Sequence, residues 1–340
     1  MNRRDFLKIT GISAAALGLA ACGGSSSSTA APASSGAAAP AAQLPKNIEV
    51  QLPASAGGGT DVAARTLTGY INSTGKTNMT IINNTDGGGV VAYETARTAK
   101  ADGSKILFFH TTMCIKTATG VYQYSAAEDF KIIGVSQNIE KGGYVLVVPA
   151  DAGIATLKDF VAKAEAEELM IGVETGGSSH LMAGMLAGEL GVGLKYVEAG
   201  PDTEKLTALV GGSINCALVN ANQAKQYIEA GKIVALGCFS TSSEGGRNSV
   251  LPDVPSFIEQ GYNLIYATNF YVLANPEMSD ELAKEILALF TDAAADPDTA
   301  AILNKSGFGM TFLPYEDGPA VLKDQQESLT VVCEELGLKK

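Results

Sequence analysis

At 340 residues, with 46% hydrophobic and 18% charged positions, the chain is long enough for two domains with cores of their own. A formal net charge of −12 argues against holding nucleic acid or an anionic membrane surface by electrostatics, which basic patches do. Two histidines and five cysteines without a CxxC pair argue against a zinc site, and no cofactor or metal is expected.

The chain opens on Asn2-Arg3-Arg4-Asp5-Phe6-Leu7-Lys8, a twin-arginine export pattern, followed by an apolar run from Ile9 to Ala21 that is too short for a membrane span. It ends in Leu19-Ala20-Ala21-Cys22, which resembles the lipobox of bacterial lipoproteins; that resemblance implies that Cys22 becomes the lipidated first residue after cleavage. Residues 1–21 are therefore read as a signal peptide and 22–45 as a flexible Gly/Ser/Ala/Pro tether. The expected address is extracytoplasmic, with the protein anchored to the membrane through its N-terminal lipid.

The body begins with Ile48, Val50 and Leu52 alternating with Glu49 and Gln51, the period-two pattern of a half-buried strand. Gly57-Gly58-Gly59-Thr60-Asp61 then leads into a helix with Ala63, Leu67, Tyr70 and Ile71 on one face. A strand, a glycine loop and a helix start present unpaired amides and a positive dipole end, an anion site without a basic side chain. Gly69 to Thr77 does not make a phosphate loop, because five residues separate its glycines and it ends a helix.

Met79 to Asn83 reads as a strand, Asn84 to Gly89 as a loop, Val90 to Lys100 as a helix, and Ile106 to Phe109 as a buried strand ending at His110-Thr111-Thr112. Tyr144 to Pro149 is a further strand. After the helix from Leu157 to Glu168 and the strand Met170 to Val173, Glu174-Thr175-Gly176-Gly177-Ser178-Ser179-His180 echoes the first glycine loop and enters the helix from Leu181 to Leu190. One such loop per half is more informative than either alone. Strands and helices continue to alternate through Phe239, which implies α/β lobes, each a mainly parallel sheet flanked by helices, with ligands at the strands' carboxyl ends. Phe270 to Pro276 repeats the pattern of Tyr144 to Pro149, and the two strands are read as the crossings of a two-lobed clamshell. Lobe 1 is expected over 46–147 plus 269–340 and lobe 2 over 148–268. Helices follow at Asp280–Ala295, Asp298–Ser306 and Val321–Leu336.

The body resembles the substrate-binding proteins of tripartite tricarboxylate transporters, the TctC or Bug type. The matching pieces are Gly57 to Arg65, Gly87-Gly88-Gly89, Ala101-Asp102-Gly103, Gly177 to Leu181, Leu209 to Gly212, Ala230-Gly231-Lys232 and Leu251 to Pro255, in that order. The resemblance implies a type II-like periplasmic-binding-protein fold that closes on a small organic carboxylate and delivers it to a membrane permease. It also implies that Gly57, Gly58, Gly59, Thr60 and Asp61 grip the carboxylate from one lobe, and Gly176, Gly177, Ser178, Ser179 and His180 from the other. The same resemblance implies that Thr111 is an additional donor and that Glu198 and Asn220 shape the far end of the ligand. Glu198-Ala199-Gly200 stands where the family usually has Tyr-Lys-Gly, and Asn215 where an aspartate is usual. This exchange disfavours a tricarboxylate and favours a smaller acid, or one with an amino group facing Glu198.

The sequence leaves three rival readings open. A hydrolase using Ser178 and His180 lacks a nucleophile elbow and the spacing of a nucleophile–base pair. A sensor that hands its closed form to a membrane receptor has the same ligand chemistry. An adhesive lipoprotein has no saturable small ligand.

Overall fold

The computed structural model describes residues 43–138 and 142–338; the signal peptide, Cys22 and the tether up to residue 42 lie outside the described residues. The first lobe opens with β1 (Asn47–Leu52), α1 (Gly59–Ser73), β2 (Asn78–Asn83), α2 (Val90–Arg97), β3 (Lys105–His110), α3 (Thr112–Ala118) and β4 (Lys131–Asn138). The second contains β5 (Gly142–Pro149), α4 (Leu157–Ala166), β6 (Leu169–Val173), α5 (Ser178–Leu190), β7 (Leu194–Glu198), α6 (Asp202–Val210), β8 (Cys216–Asn220), α7 (Ala221–Glu229) and β9 (Ile233–Ser240). The chain returns through β10 (Phe270–Ala274), α8 (Asp280–Ala295), α9 (Pro297–Lys305), β11 (Met310–Phe312) and α10 (Gly318–Glu335).

Each lobe is built on one sheet, in the orders β11-β4-β10-β3-β1-β2 and β7-β6-β8-β5-β9. The sheets are mixed rather than mainly parallel. Local strand–helix–strand crossovers make β1 parallel to β2 and β3, and β6 parallel to β7 and β8. The strands that arrive from the other lobe escape that constraint: β10 is antiparallel to β3 and β4, and β5 to β8 and β9. The expected lobe boundary at residue 147 also moves. All of β5 pairs within the second sheet, so Gly142 to Val147 belong to the second lobe rather than the first. The return runs between β9 and β10, with bridges at Cys238–Ser256 and Ser240–Ile265 tying it to the edge of the second sheet.

Central strand β3 is buried along Ile106, Leu107, Phe108 and Phe109, as its unbroken apolar run requires. Phe108 stacks on Phe270 and Phe290 at 5.1 and 6.0 Å between ring centroids, joining β3, β10 and α8. Such pairs contribute about 0.5–1.5 kcal/mol each beyond burial. Gln51, read from its alternation as facing water, is buried and donates to Glu49, which in turn accepts from Lys105. One hydrophobic cluster is continuous across the lobes, joining Leu107 and Val135 through Met113 and Leu322 to Leu181 and Leu146. Helices α3, α5 and α10 carry that continuity, and the site lies beside it.

Candidate functional site

Between the lobes lies a cleft of about 410 Å³. Its lobe 1 wall contains Pro53 to Ala56, Gly58, Gly59, Thr60, Thr85, Gly88, Phe109, His110, Thr112 and Phe308. Its lobe 2 wall contains Tyr144, Glu174, Ser178, Ser179, Glu198, Gly200 to Lys205, Asn220 and Gln223. The first turns of α1 and α5 therefore face one space from opposite lobes, and those of α6 and α7 line it too. First-turn amides have no intrahelical acceptor, so the cleft is edged by N–H groups and positive dipole ends.

On the lobe 1 side, Gly57 takes φ +78° and its amide donates to Asp61 Oδ2 over 2.9 Å. Asp61 also accepts from Arg65 Nε at 2.8 Å and from Asn83 Nδ2 at 2.8 Å. Burial raises its carboxyl, but these donors outweigh that and hold it below the ordinary carboxylate range. Asp61 and Gly57 thus shape the loop without lining the cleft. Gly59 is required for closeness, because a Cβ there would run into the Phe308 ring.

The second glycine loop differs from its echo in what it leaves available. Ser178 Oγ lies 2.6 Å from Thr112 Oγ1 and accepts from Tyr266 OH at 2.5 Å, so its hydroxyl joins the lobes. Ser179 Oγ accepts the Glu174 amide at 2.9 Å and keeps its own proton to donate. Gly176 and Gly177 are buried behind the wall, where a Cβ on Gly176 would meet Val121. His180 Nδ1 accepts the Gly176 amide at 3.2 Å and its ring packs edge-on against Tyr196, outside the lining. Ser178 and His180 are thus held by different partners.

Of the residues singled out from sequence, Gly58, Gly59, Thr60, Ser178, Ser179, Glu198 and Asn220 line the cleft, whereas Gly57, Asp61, Thr111, Gly176, Gly177 and His180 do not. Thr111 is wholly buried, bonded to Asn269 and Gln325, and its neighbour Thr112 takes the wall position. Glu198 accepts from the amides of Thr175 at 2.8 Å and Gly200 at 3.0 Å. Burial raises its carboxyl, yet those bonds and the charge of Lys116 hold it below the usual value. Asn220 caps α7 through the Asn222 amide.

Five side chains are not legible from the sequence as donors, acceptors or charges of the site: His110, Lys116, Lys205, Tyr144 and Gln223. His110 has its imidazole pushed down to about 3 by burial and by the Lys116 charge. Because its Nδ1 accepts the Thr112 amide at 3.3 Å, the neutral ring carries its proton on Nε2, as a donor. Lys116 pairs with Glu174 at 3.0 Å across the lobes, and Lys205 with Asp202 at 2.7 Å. Tyr144 stays a phenol, since burial and the charges of Asp202 and Glu174 push its pKa up. Gln223 Oε1 is buried without a hydrogen-bond partner at the same wall. His110 stands at the carboxyl end of a central strand, a kind of position where the sequence already expects ligands, although its role as a donor is not legible there; Lys116 sits in a short apolar segment with no motif.

Among the described residues no group of three or more His, Cys, Asp and Glu could hold a metal ion. Cys114, Cys216, Cys238 and Cys333 are buried free thiols. No helix of the described residues is long and apolar enough to cross a membrane.

Two mixed α/β lobes flanking a polar cleft define a two-lobed periplasmic binding protein, and solved structures share this fold. The periplasmic binding protein BugD superposes with TM-score 0.74 at 22% identity, covering 86% of this chain and 98% of that one. MatC from Rhodopseudomonas palustris, with bound malate, gives 0.73 at 21% identity over 86% of this chain and all of its own. A UPF0065 protein of Cupriavidus necator is 24% identical over 346 residues, spanning 100% of this chain and 99% of the relative. Residues 64–338 match the family described as the tripartite tricarboxylate transporter family receptor, and the chain belongs to that family.

Proposed function

We propose that this protein is an extracytoplasmic solute-binding lipoprotein that captures a small organic carboxylate between its lobes and delivers it to a tripartite tricarboxylate-type permease. The observation that carries the reading is the pair of helix starts, α1 and α5, facing one cleft from opposite lobes. Amides of Gly59 and Thr60 on one side, and of Ser178 and Ser179 on the other, are the proposed carboxylate donors. The hydroxyls of Thr60 and Ser179 and the Nε2 proton of His110 add to them. Donors divided in this way favour the closed form by their differential contacts, which couples capture to closure. Malate bound in MatC is a ligand of the class proposed.

The far wall argues for a modest negative charge on the ligand. Glu174, Glu198, Asp202 and Glu204 line it, against the buried cations Lys116 and Lys205. A third ligand carboxylate there would meet like charge. Membrane attachment through Cys22 belongs to the same proposal, and a Cys22→Ser variant is expected to leave the membrane fraction.

A thermal-shift screen of mono-, di- and tricarboxylates and amino acids tests the reading. A ligand at a hundred times its dissociation constant adds about 2.7 kcal/mol to folded-state stability. Shifts confined to one class of small acid support the proposal. No shift with any carboxylate contradicts it.

A further inference from the structure

Lys116 is the least expected group at this cleft. It leaves α3 in the first lobe with its side chain only 3% exposed, and its Nζ lies 3.0 Å from Glu174 Oε1 in the second. The glutamate side chain is 39% exposed. Lys116 is not itself a wall residue: its ammonium sits behind the wall, where a Cβ added at wall residue Gly88 would come 3.3 Å from Nζ and its partner Glu174 faces the cleft. Its field also reaches two further wall residues, lowering His110 and Glu198.

We infer that Lys116 is a ligand-binding cation, and that the carboxylate of the bound acid displaces Glu174 as its counter-ion. The inference rests on the carboxylate-receptor reading above. A buried ammonium needs a counter-charge, because leaving it alone in a low-dielectric site is costly. Between the two partners only the glutamate can turn to water and recover its hydration. Exchanging one carboxylate for another keeps Lys116 neutralised throughout, so the swap avoids the cost that breaking the pair outright would carry. The backbone of Glu174 stays in place during such a swing, since its amide is held by Ser179 Oγ and its carbonyl by the Gly177 amide. Without ligand, the same pair links the lobes across the cleft. Glu174 is then both a latch and an internal competitor.

This assignment fixes the sign of a mutational effect that a purely structural ion pair would not give. The experiment is calorimetric titration of wild type, Glu174→Gln, Lys116→Met and the double variant with malate, adipate and aspartate. Glu174→Gln removes the competitor and is expected to bind the responding acid roughly threefold to tenfold more tightly, the scale of a partly exposed ion pair. Lys116→Met is expected to weaken binding by at least about tenfold, as loss of one partner of a buried charge contact does. In the Lys116→Met background, Glu174→Gln should bring no gain. Glu174→Gln alters a side chain that already reaches water and is nearly isosteric, so it carries the test even where Lys116→Met unfolds. Unchanged or weaker binding by Glu174→Gln would overturn the inference and leave the carboxylate reading standing. No binding of any of the three acids, to wild type or to Glu174→Gln, would remove that reading and the inference with it.

Discussion

The Gly57 amide donates to Asp61 Oδ2 over 2.9 Å, closing the first glycine loop onto the helix it precedes. Asp61 is simultaneously tied to Arg65 and Asn83, so one buried carboxylate joins the loop, α1 and β2. Removing it as Asp61→Ala leaves these donors unpaired and is expected to cost about 1–3 kcal/mol of stability. Its carboxyl is held below the ordinary range in the folded state, so this contribution is full above about pH 4 and is lost as pH falls through the lower folded value. Acid denaturation of wild type and Asp61→Asn checks both points, with the difference between the two curves shrinking at the acid end.

Gly59 is where a side chain has least room. Gly59→Ala drives a methyl into the Phe308 ring, and is expected to cost about 1–3 kcal/mol while weakening carboxylate binding through a displaced loop. Gly58 is more forgiving, because its added Cβ meets only the Ser55 carbonyl at 3.2 Å. Melting points of Gly58→Ala and Gly59→Ala, and their affinities for whichever acid shifts the wild type, should separate the two neighbours. Equal effects would place the constraint elsewhere.

Ser178 links the lobes through Thr112 and Tyr266. Ser178→Ala strands two buried hydroxyls, and a loss of about 1–3 kcal/mol is expected. A double-mutant cycle of Ser178→Ala with Thr112→Val should show coupling, measured by denaturant unfolding. Strict additivity would mean that the short contact contributes nothing.

His110 gives a pH prediction of opposite chemistry to Asp61. Its folded value near 3 lies below the unfolded value of about 6.5, so the unfolded state binds the extra proton between those limits. Its contribution is complete above about pH 6.5 and declines as pH falls towards 3. Substituting His110→Gln should flatten the stability profile over that interval relative to wild type. Because the folded ring stays neutral, carboxylate affinity in wild type should not change on account of His110 between pH 5.5 and 8.

The contrast among these residues explains what could be read from the sequence. Glycine runs followed by helix starts are local signals, and they located the walls at Gly58 to Thr60 and Ser178 to Ser179. Whether a loop residue faces the ligand or the loop's own backbone depends on tertiary partners. For that reason Asp61, His180 and Thr111 read from sequence as ligand donors, whereas each is bonded to its own surroundings and none lines the cleft. Strand β4 and helix α3 carry no pattern that marks them in the sequence: α3 is a seven-residue helix inside a buried, non-periodic stretch, and Lys116 lies within it. Strand direction in β5 and β10 is set by the crossings between the lobes, outgoing for β5 and returning for β10, which no local pattern encodes.

The central claim is that one carboxylate is held by the starts of α1 and α5 together. Amide chemical shifts of Gly59, Thr60, Ser178 and Ser179, followed by NMR while malate is added, test it most directly. Signals from both helix starts are expected to move with a single dissociation constant. Movement confined to one lobe, or two different constants, would contradict it.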